Sequence, residues 1–402
     1  MSADGITLDS YREATPSGAV DVVLRLAERA RGRRFVHVNS TRAGGGVAEI
    51  LRRLVPLLND LGIIASWEVI EGDPDFFLTT KTLHNALQGE TQTFTPAMLE
   101  HYAEVNRRNA ERLRIEGDFV FIHDPQPAAL IDARPPAGRW VWRCHIDLAT
   151  PDRRAWSFLQ RSVARYDAAI VSAPAFSQHL PIPQFLVYPS IDPLADKNRA
   201  MGADEIHEVL EALRISDDKP LLLQVSRFDR FKDPLGVIQT YRMVKPYHDV
   251  QLVLAGGTAA DDPEGAQVLA EVREAAGRDP DVHVLGLPSD AHLQINALQR
   301  AATIVIQKSR REGFGLTVSE AMWKGKPVIG GATGGIGIQI INGQTGYVVH
   351  SVEGAASRIC HLLRHPELLR RMGMAAHQRV KQHFLITRQL RDYLLLLVQL
   401  DA

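Results

Sequence analysis

The sequence predicts two α/β domains of the doubly wound, parallel-sheet class, and three observations carry that expectation. Short apolar or β-branched runs alternate with amphipathic segments, the pattern of βα units that build parallel sheets. The runs fall into two series separated by a polar stretch. At 402 residues the chain is also too long for one ordinary core, since single domains settle at roughly 100–200 residues.

The first series reads RRFVHVNS (33–40), IIASWEVI (63–70), DFVFIHD (118–124), RWVWRCHID (139–147), DAAIVSA (167–173) and QFLVYPS (184–190). The second reads PLLLQVSRFD (220–229), VQLVLAGG (250–257), VHVLGL (282–287), ATIVIQK (302–308), KPVIGGA (326–332) and TGYVVH (345–350). Between them, IDPLADKNRAMGADEIHEVLEALRI (191–215) carries a Pro-bearing turn and one polar helix. This places the boundary near 195–218 and gives domains 1–215 and 216–385, with a cleft between them. A C-terminal helix over 386–402 is expected to pack back on the first domain or, through its apolar run YLLLLVQL (393–400), on a second subunit; a homodimer is the expectation. No short solenoid period is visible.

Composition narrows the function. Lys and Arg total 46 against 47 Asp and Glu, so there is no bulk basic field for a nucleic-acid backbone and no polybasic membrane patch. Anionic ligands must be met locally. Cys144 and Cys360 are the only cysteines; they fit no zinc or redox spacing and are too few for a disulfide scaffold, which points to a reducing cytoplasm. The segment MSADGITLDSYREATPSG (1–18) lacks the layout of a signal peptide, and the run at 393–400 is far short of a membrane span. The 15 histidines form no H-E-x-x-H or comparable array, so no resident metal is expected.

Open α/β sheets bind ligands outside the carboxyl ends of their strands, so the residues after each run are the candidates. Gly44, Gly45 and Gly46 follow the first strand and open a helix near Val47. Glycines let backbone N–H groups approach an anion, and the helix N-terminus adds about half a positive charge; the alternative is a tight βα turn. This is neither a Walker loop nor a G-x-G-x-x-G fingerprint, and Gly331–Gly337 also fails the latter spacing. In SRFDRFKDP (226–234), Arg227 and Lys232 could neutralise a diphosphate; the alternative is a solvated loop in which they pair with Asp229 and Asp233. In REGFGLTVSE (311–320), Glu312 falls in a loop and Glu320 in the first turn of a short helix. Two carboxylates there suit the hydroxyls of two sugar rings. Thr317-x-x-Glu320 also matches a capping box, which would make Glu320 a structural residue.

With these residues in view, EGFGLTVSE (312–320) behind SRFDRFK and a glycine turn resembles the retaining nucleotide-sugar glycosyltransferases of the two-Rossmann (GT-B) fold, the glycogen-synthase-like family 4. HVNSTRAGGGVAEIL (37–51), HNALQG (84–89), HDPQPA (123–128), RCHIDLATPD (143–152), PSIDPLADKN (189–198) and GGATGGIG (330–337) resemble, more narrowly, the trehalose glycosyltransferring synthases. The likeness runs from about residue 35 to 385.

The resemblance implies roles. Arg227 and Lys232 would contact the diphosphate, Glu320 the ribose hydroxyls, and Glu312 with Gly313, Phe314, Gly315, Leu316 and Thr317 the donor glucose. Gly44–Gly46 would face the diphosphate and acceptor, His145 would touch the transferred sugar, and Asn39, Asp124 and Asp147 would be acceptor ligands. The implied reaction moves glucose from ADP- or UDP-glucose to free glucose with retention, giving trehalose reversibly. The leaving phosphate would help deprotonate the incoming hydroxyl, so no protein nucleophile is needed. Paired carboxylates also serve glycosidases, but their place beside a phosphate-binding loop speaks against that use. No cofactor is required, and Mg2+ would come only with the nucleotide. The alternatives are a trehalose phosphorylase using inorganic phosphate, a related transferase with another acceptor, or an inactive descendant that only binds.

Overall fold

A computed structural model describes residues 5–43, 45–257 and 263–401, the last span without the side chains of 263 and 264. The chain forms two compact units, one running to Ser190 and resuming at Ile386, the other Ile191–Leu385. The division therefore falls at 190/191 and not at 215/216. Residues 191–215 look like a linker in sequence because they are polar, yet the second unit claims them through their backbone. Asn296 donates to the carbonyls of Asp196 and Arg199 at 2.8 and 2.9 Å, and Arg300 donates to those of Asn198 and Arg199 at 3.1 and 2.7 Å.

In the first unit β1 (Arg34–Asn39), β2 (Ile64–Val69), β3 (Phe119–His123), β4 (Arg139–Arg143), β5 (Ala168–Val171) and β6 (Gln184–Leu186) form a parallel sheet in the order β2-β1-β3-β4-β5-β6. Helices α1 (Ala19–Ala27), α2 (Gly46–Asp60), α3 (Pro74–Leu87), α4 (Pro96–Arg112) and α5 (Arg153–Val163) belong to this unit. Their starts follow local chemistry: Asp73, Thr95 and Asp152 cap α3, α4 and α5, each accepting from backbone N–H groups of the first turn, and Pro occupies the first position of α3 and α4. Every residue of β3 is buried, as expected of a central parallel strand with both faces covered.

In the second unit β7 (Leu221–Val225), β8 (Gln251–Gly256), β9 (Val282–Gly286), β10 (Ile304–Gln307), β11 (Val328–Gly331) and β12 (Gly346–Val349) pair in parallel in the order β12-β11-β10-β7-β8-β9. Its helices are α6 (Ala203–Ala212), α7 (Pro234–Val244), α8 (Pro263–Ala276), α9 (His292–Ala301), α10 (Leu316–Trp323), α11 (Ile336–Gln339), α12 (Val352–Arg364) and α13 (Pro366–His383). Each of the twelve apolar runs in the sequence holds one strand. The core of this unit gathers Leu222, Leu252, Leu254, Ile304, Ile306 and Ile329 from the sheet against Val237, Tyr241, Ile359 and Leu362.

The chain then returns to the first unit as α14 (Ile386–Asp401). Tyr393, Leu394, Leu396 and Leu397 of the apolar tail are buried there, while Leu395 stays exposed. Arg388 fixes the return by donating to the carbonyls of Tyr188 and Pro189 at 2.6 and 3.1 Å, and Ser190 donates to Gln389 at 2.5 Å. Among the described residues no helix is long and apolar enough to cross a membrane.

Both sheets have a point where the winding reverses, between β1 and β3 in the first unit and between β7 and β10 in the second. Carboxyl ends beside such a point are where doubly wound sheets hold ligands.

Candidate active site

In the second unit the reversal point joins the two stretches singled out in the sequence. Lys232, in the loop after β7, donates to the Glu312 carboxylate after β10 at 2.6 Å. The Ser309 hydroxyl donates to the same oxygen at 3.2 Å and itself accepts from Gln307 at 3.1 Å. The loops are tied by backbone too, since Arg310 N–H donates to the Phe231 carbonyl at 2.7 Å and Gln224 donates to the Lys232 carbonyl at 2.8 Å. Glu312 is thus not a free carboxylate, and Lys232 does not pair with Asp233, whose partner is Lys308. Arg227 meets Asp229 only at 3.8 Å and keeps half its side chain in solvent. The arrangement offers one exposed guanidinium and one carboxylate-oriented ammonium on a single strand-end edge.

The turn that carries Glu312 depends on glycine. Gly315 has φ +81° and starts α10, a conformation other residues adopt only with strain. Gly335 lies so close beneath that a Cβ would sit 2.5 Å from the Phe314 Cα. Its N–H donates to the Gly313 carbonyl at 3.1 Å, and Gln339 donates to the Phe314 carbonyl at 2.6 Å. GGATGGIG therefore supports Gly313–Gly315 from below. Phe314 is buried edge-on to Phe384, while Leu316 and Thr317 are half-buried in the first turn. A cavity of about 500 Å³ opens beside the carboxyl ends of β11 and β12, lined by Thr333, Gly334, Asn342 and His350 among others.

Glu320 is not a cap. Gly315 is the N-cap residue, so Glu320 is the fifth residue of α10, beyond its first turn. Its carboxylate, 1 % exposed, takes Lys197 at 2.9 Å and Gln299 at 3.4 Å. Lys324 completes the knot, donating to Asn198 and Gln299 side chains at 2.9 and 2.8 Å and to the Glu320 carbonyl at 3.3 Å. Burial lowers the Lys324 ammonium to about 7 against the pull of the Glu320 charge. Lys197 comes from the stretch that looked like a linker, which is why sequence alone did not supply this partner.

In the first unit, Asn39 ends β1 and is buried, donating to the Thr41 carbonyl and accepting from the Trp67 indole, both at 2.8 Å. Gly45, at φ +85°, is the N-cap residue of α2, and Gly46 begins that helix; Gly44 lies outside the described residues. Asp147 is buried, its carboxylate accepting the Ala149 N–H at 2.9 Å. Asp124 turns the chain after β3 with φ +67°, accepts the His145 N–H at 2.7 Å, and is raised by desolvation to about 7. Asn39 and Asp147 thus spend polar atoms on local structure, whereas Asp124 fixes the backbone of His145.

The residues that sequence reading missed are His37 and His123. His37 Nδ1 lies 3.1 Å from His123 Nε2, and His123 Nδ1 lies 2.9 Å from His145 Nε2. The three rings run from inside β1, through the end of β3, to the second residue after β4. Burial lowers His37 to about 3 and holds His123 and His145 well below the ordinary histidine range, helped for both by the buried Arg143. All three are neutral at pH 7. The signal was present as a histidine near the end of each of three apolar runs, VHVN, FIHD and RCHID.

Two Rossmann-like sheet orders, with the Lys232–Glu312 ion pair at the reversal point of the second, define a GT-B glycosyltransferase fold. A solved α,α-trehalose-phosphate synthase (UDP-forming) from Burkholderia xenovorans, in complex with glucose-6-phosphate, superposes with TM-score 0.74 at 13% identity, covering 92% of this chain and 100% of that one. Residues 37–178 match the family model of the trehalose synthase N-terminal domain, and residues 205–379 match glycosyl transferases group 1. The trehalose synthase of Pyrococcus horikoshii is 46% identical over 397 residues, 96% of this chain and 95% of that protein. The chain belongs to the trehalose synthase family of glycosyltransferases. A trehalose phosphorylase of Pleurotus pulmonarius is 30% identical, over 85% of this chain and 54% of its own length.

Proposed function

We propose that the protein is a retaining hexosyltransferase that moves glucose from a nucleoside diphosphate glucose, ADP- or UDP-glucose, to free glucose and forms α,α-trehalose reversibly. The observation that carries this is the Lys232–Glu312 pair at 2.6 Å on the carboxyl edge of the second sheet, with Arg227 exposed beside it. In the reaction the bond from the anomeric carbon to the diphosphate breaks and a bond to the acceptor hydroxyl forms on the same face. The hydroxyl proton passes to the departing phosphate oxygen. Arg227 and Lys232 stabilise the charge that grows on the diphosphate, which is the largest demand of the step. Glu312 holds the Lys232 ammonium and accepts from a donor-sugar hydroxyl, while Glu320 and Lys197 serve the ribose. The first unit supplies His145 to the transferred sugar and Asp124 to the acceptor side. No resident cofactor takes part, and we place the enzyme in the cytoplasm, a reading supported by two unpaired cysteines.

A phosphorylase reading needs inorganic phosphate in place of the nucleotide. The fuller match to a trehalose synthase supports the nucleotide-dependent reading. Incubation with trehalose and ADP, UDP or phosphate in turn decides: nucleoside diphosphate glucose as product is expected, and glucose 1-phosphate from the phosphate mixture alone would reverse the assignment.

A further inference from the structure

We propose that His37 and His123 are positioning residues that lock His145 in its Nδ1–H tautomer, so that His145 offers a hydrogen-bond donor, not an acceptor, to a sugar hydroxyl. The sugar contact rests on the functional reading above; the tautomer does not. A neutral imidazole carries one proton, and each link in the chain needs one N–H and one bare nitrogen. Three neutral rings joined by two links can therefore be ordered in only two ways. In the first, His37 Nδ1–H donates to His123 Nε2, His123 Nδ1–H donates to His145 Nε2, and the remaining proton sits on His145 Nδ1. In the second every bond is reversed, which leaves His145 Nδ1 bare and puts a proton on His37 Nε2.

The inner end of the chain chooses between them. His37 Nε2 is buried and makes no hydrogen bond. Its ring is stacked on Phe121 at 4.8 Å and stands edge-on to Tyr393 at 6.2 Å, and the buried Tyr393 hydroxyl makes no hydrogen bond to it. A buried N–H without an acceptor is rarer and costlier than a bare acceptor left alone, so the first ordering wins. His145 is the half-buried ring of the three and its Nδ1 takes no partner among the described residues, which leaves that N–H for a ligand. An isolated neutral histidine is free to take either tautomer, and here the bonds made on the far side decide it.

The test is a long-range ¹H–¹⁵N correlation spectrum of the full-length protein labelled at histidine, at pH 7.5, with His145 assigned from a His145→Gln spectrum. The expected result is a protonated Nδ1 and an acceptor-type Nε2 at His145, and a protonated Nε2 there would overturn the proposal. Two variants then probe the link to activity. His37→Phe removes the innermost donor and is expected to lower kcat roughly tenfold, the worth of about one hydrogen bond, with KM for the nucleotide sugar within about twofold. His37→Asn, whose amide N–H can stand in for Nδ1–H, is expected to recover most of that loss; wild-type kcat in both would show that the chain does not position His145. The expected tautomer in a protein without nucleotide-dependent transfer would sink the functional reading and leave the tautomer assignment standing.

Discussion

The two units use the same kind of sheet edge for opposite electrostatic tasks. At the reversal point of the first unit the polar groups carry little charge: three neutral imidazoles linked end to end and a carboxyl that burial raises to about 7, far above the ordinary carboxylate range. At that of the second they are charged and matched, Lys232 with Glu312 and Lys308 with Asp233, with Lys197 on Glu320 below. Neutral groups in a desolvated site discriminate hydroxyls by direction. Charged groups held by partners are already desolvated and oriented when an anion arrives. On the proposed reaction the charged edge would serve the leaving group and the neutral edge the sugar hydroxyls.

Lys232→Ala tests the charged edge most severely. On the proposed mechanism it takes a cation from the leaving group and leaves the Glu312 carboxylate with only the Ser309 hydroxyl among the described residues, so turnover should fall about 10³-fold; a loss under tenfold in steady-state assays would mean that the pair is structural. Arg227→Ala should cost about 10²-fold in turnover with little change in melting temperature, since that side chain is half in solvent. A loss below threefold would contradict its role.

The neutral edge predicts a pH signature. Unfolded histidines take up a proton as pH falls through ~6.5, whereas His37, His123 and His145 in the fold do not, so stability is lost below that pH. Asp124 works the other way, because folding lets it keep a proton that the unfolded chain has released. The net uptake on unfolding is up to two protons, so between about pH 6.5 and 5 the stability of the first unit should fall by up to ~2.7 kcal/mol per pH unit. Denaturant titrations followed through Trp140 and Trp142, both buried there, would show it; unchanged stability over that window would mean that the imidazoles are not held neutral. Glu320→Gln should have the smallest effect on activity, raising KM for the nucleotide sugar about tenfold and lowering kcat less. If stability alone fell, the Lys197–Glu320 pair would be structural.

Most of the fold was legible because fully buried parallel strands must be apolar, and each such run became a strand. REGFGLTVSE and SRFDRFK were legible as strand-end loops that carry glycines, carboxylates and cations, and the fold brings the two together. The direct Lys232–Glu312 contact was not, since it depends on β7 and β10 being neighbours. The boundary was misplaced because four of the hydrogen bonds that hold Asp196–Arg199 to the second unit go to its carbonyl groups, which leave no mark in side-chain composition. The imidazole chain was hidden for a related reason. His37 stands opposite Phe121, and His123 opposite Arg143, in the parallel register, and only that register brings the ring nitrogens into reach.

Titration of ADP and UDP into the wild-type protein and into the Arg227→Ala/Lys232→Ala double variant, followed by calorimetry, asks whether these two cations hold the diphosphate. Saturable binding of one of these nucleotides by the wild type is expected, with affinity at least tenfold weaker in the double variant. Equal affinity in the two proteins would contradict it, because the diphosphate would then be held by other groups.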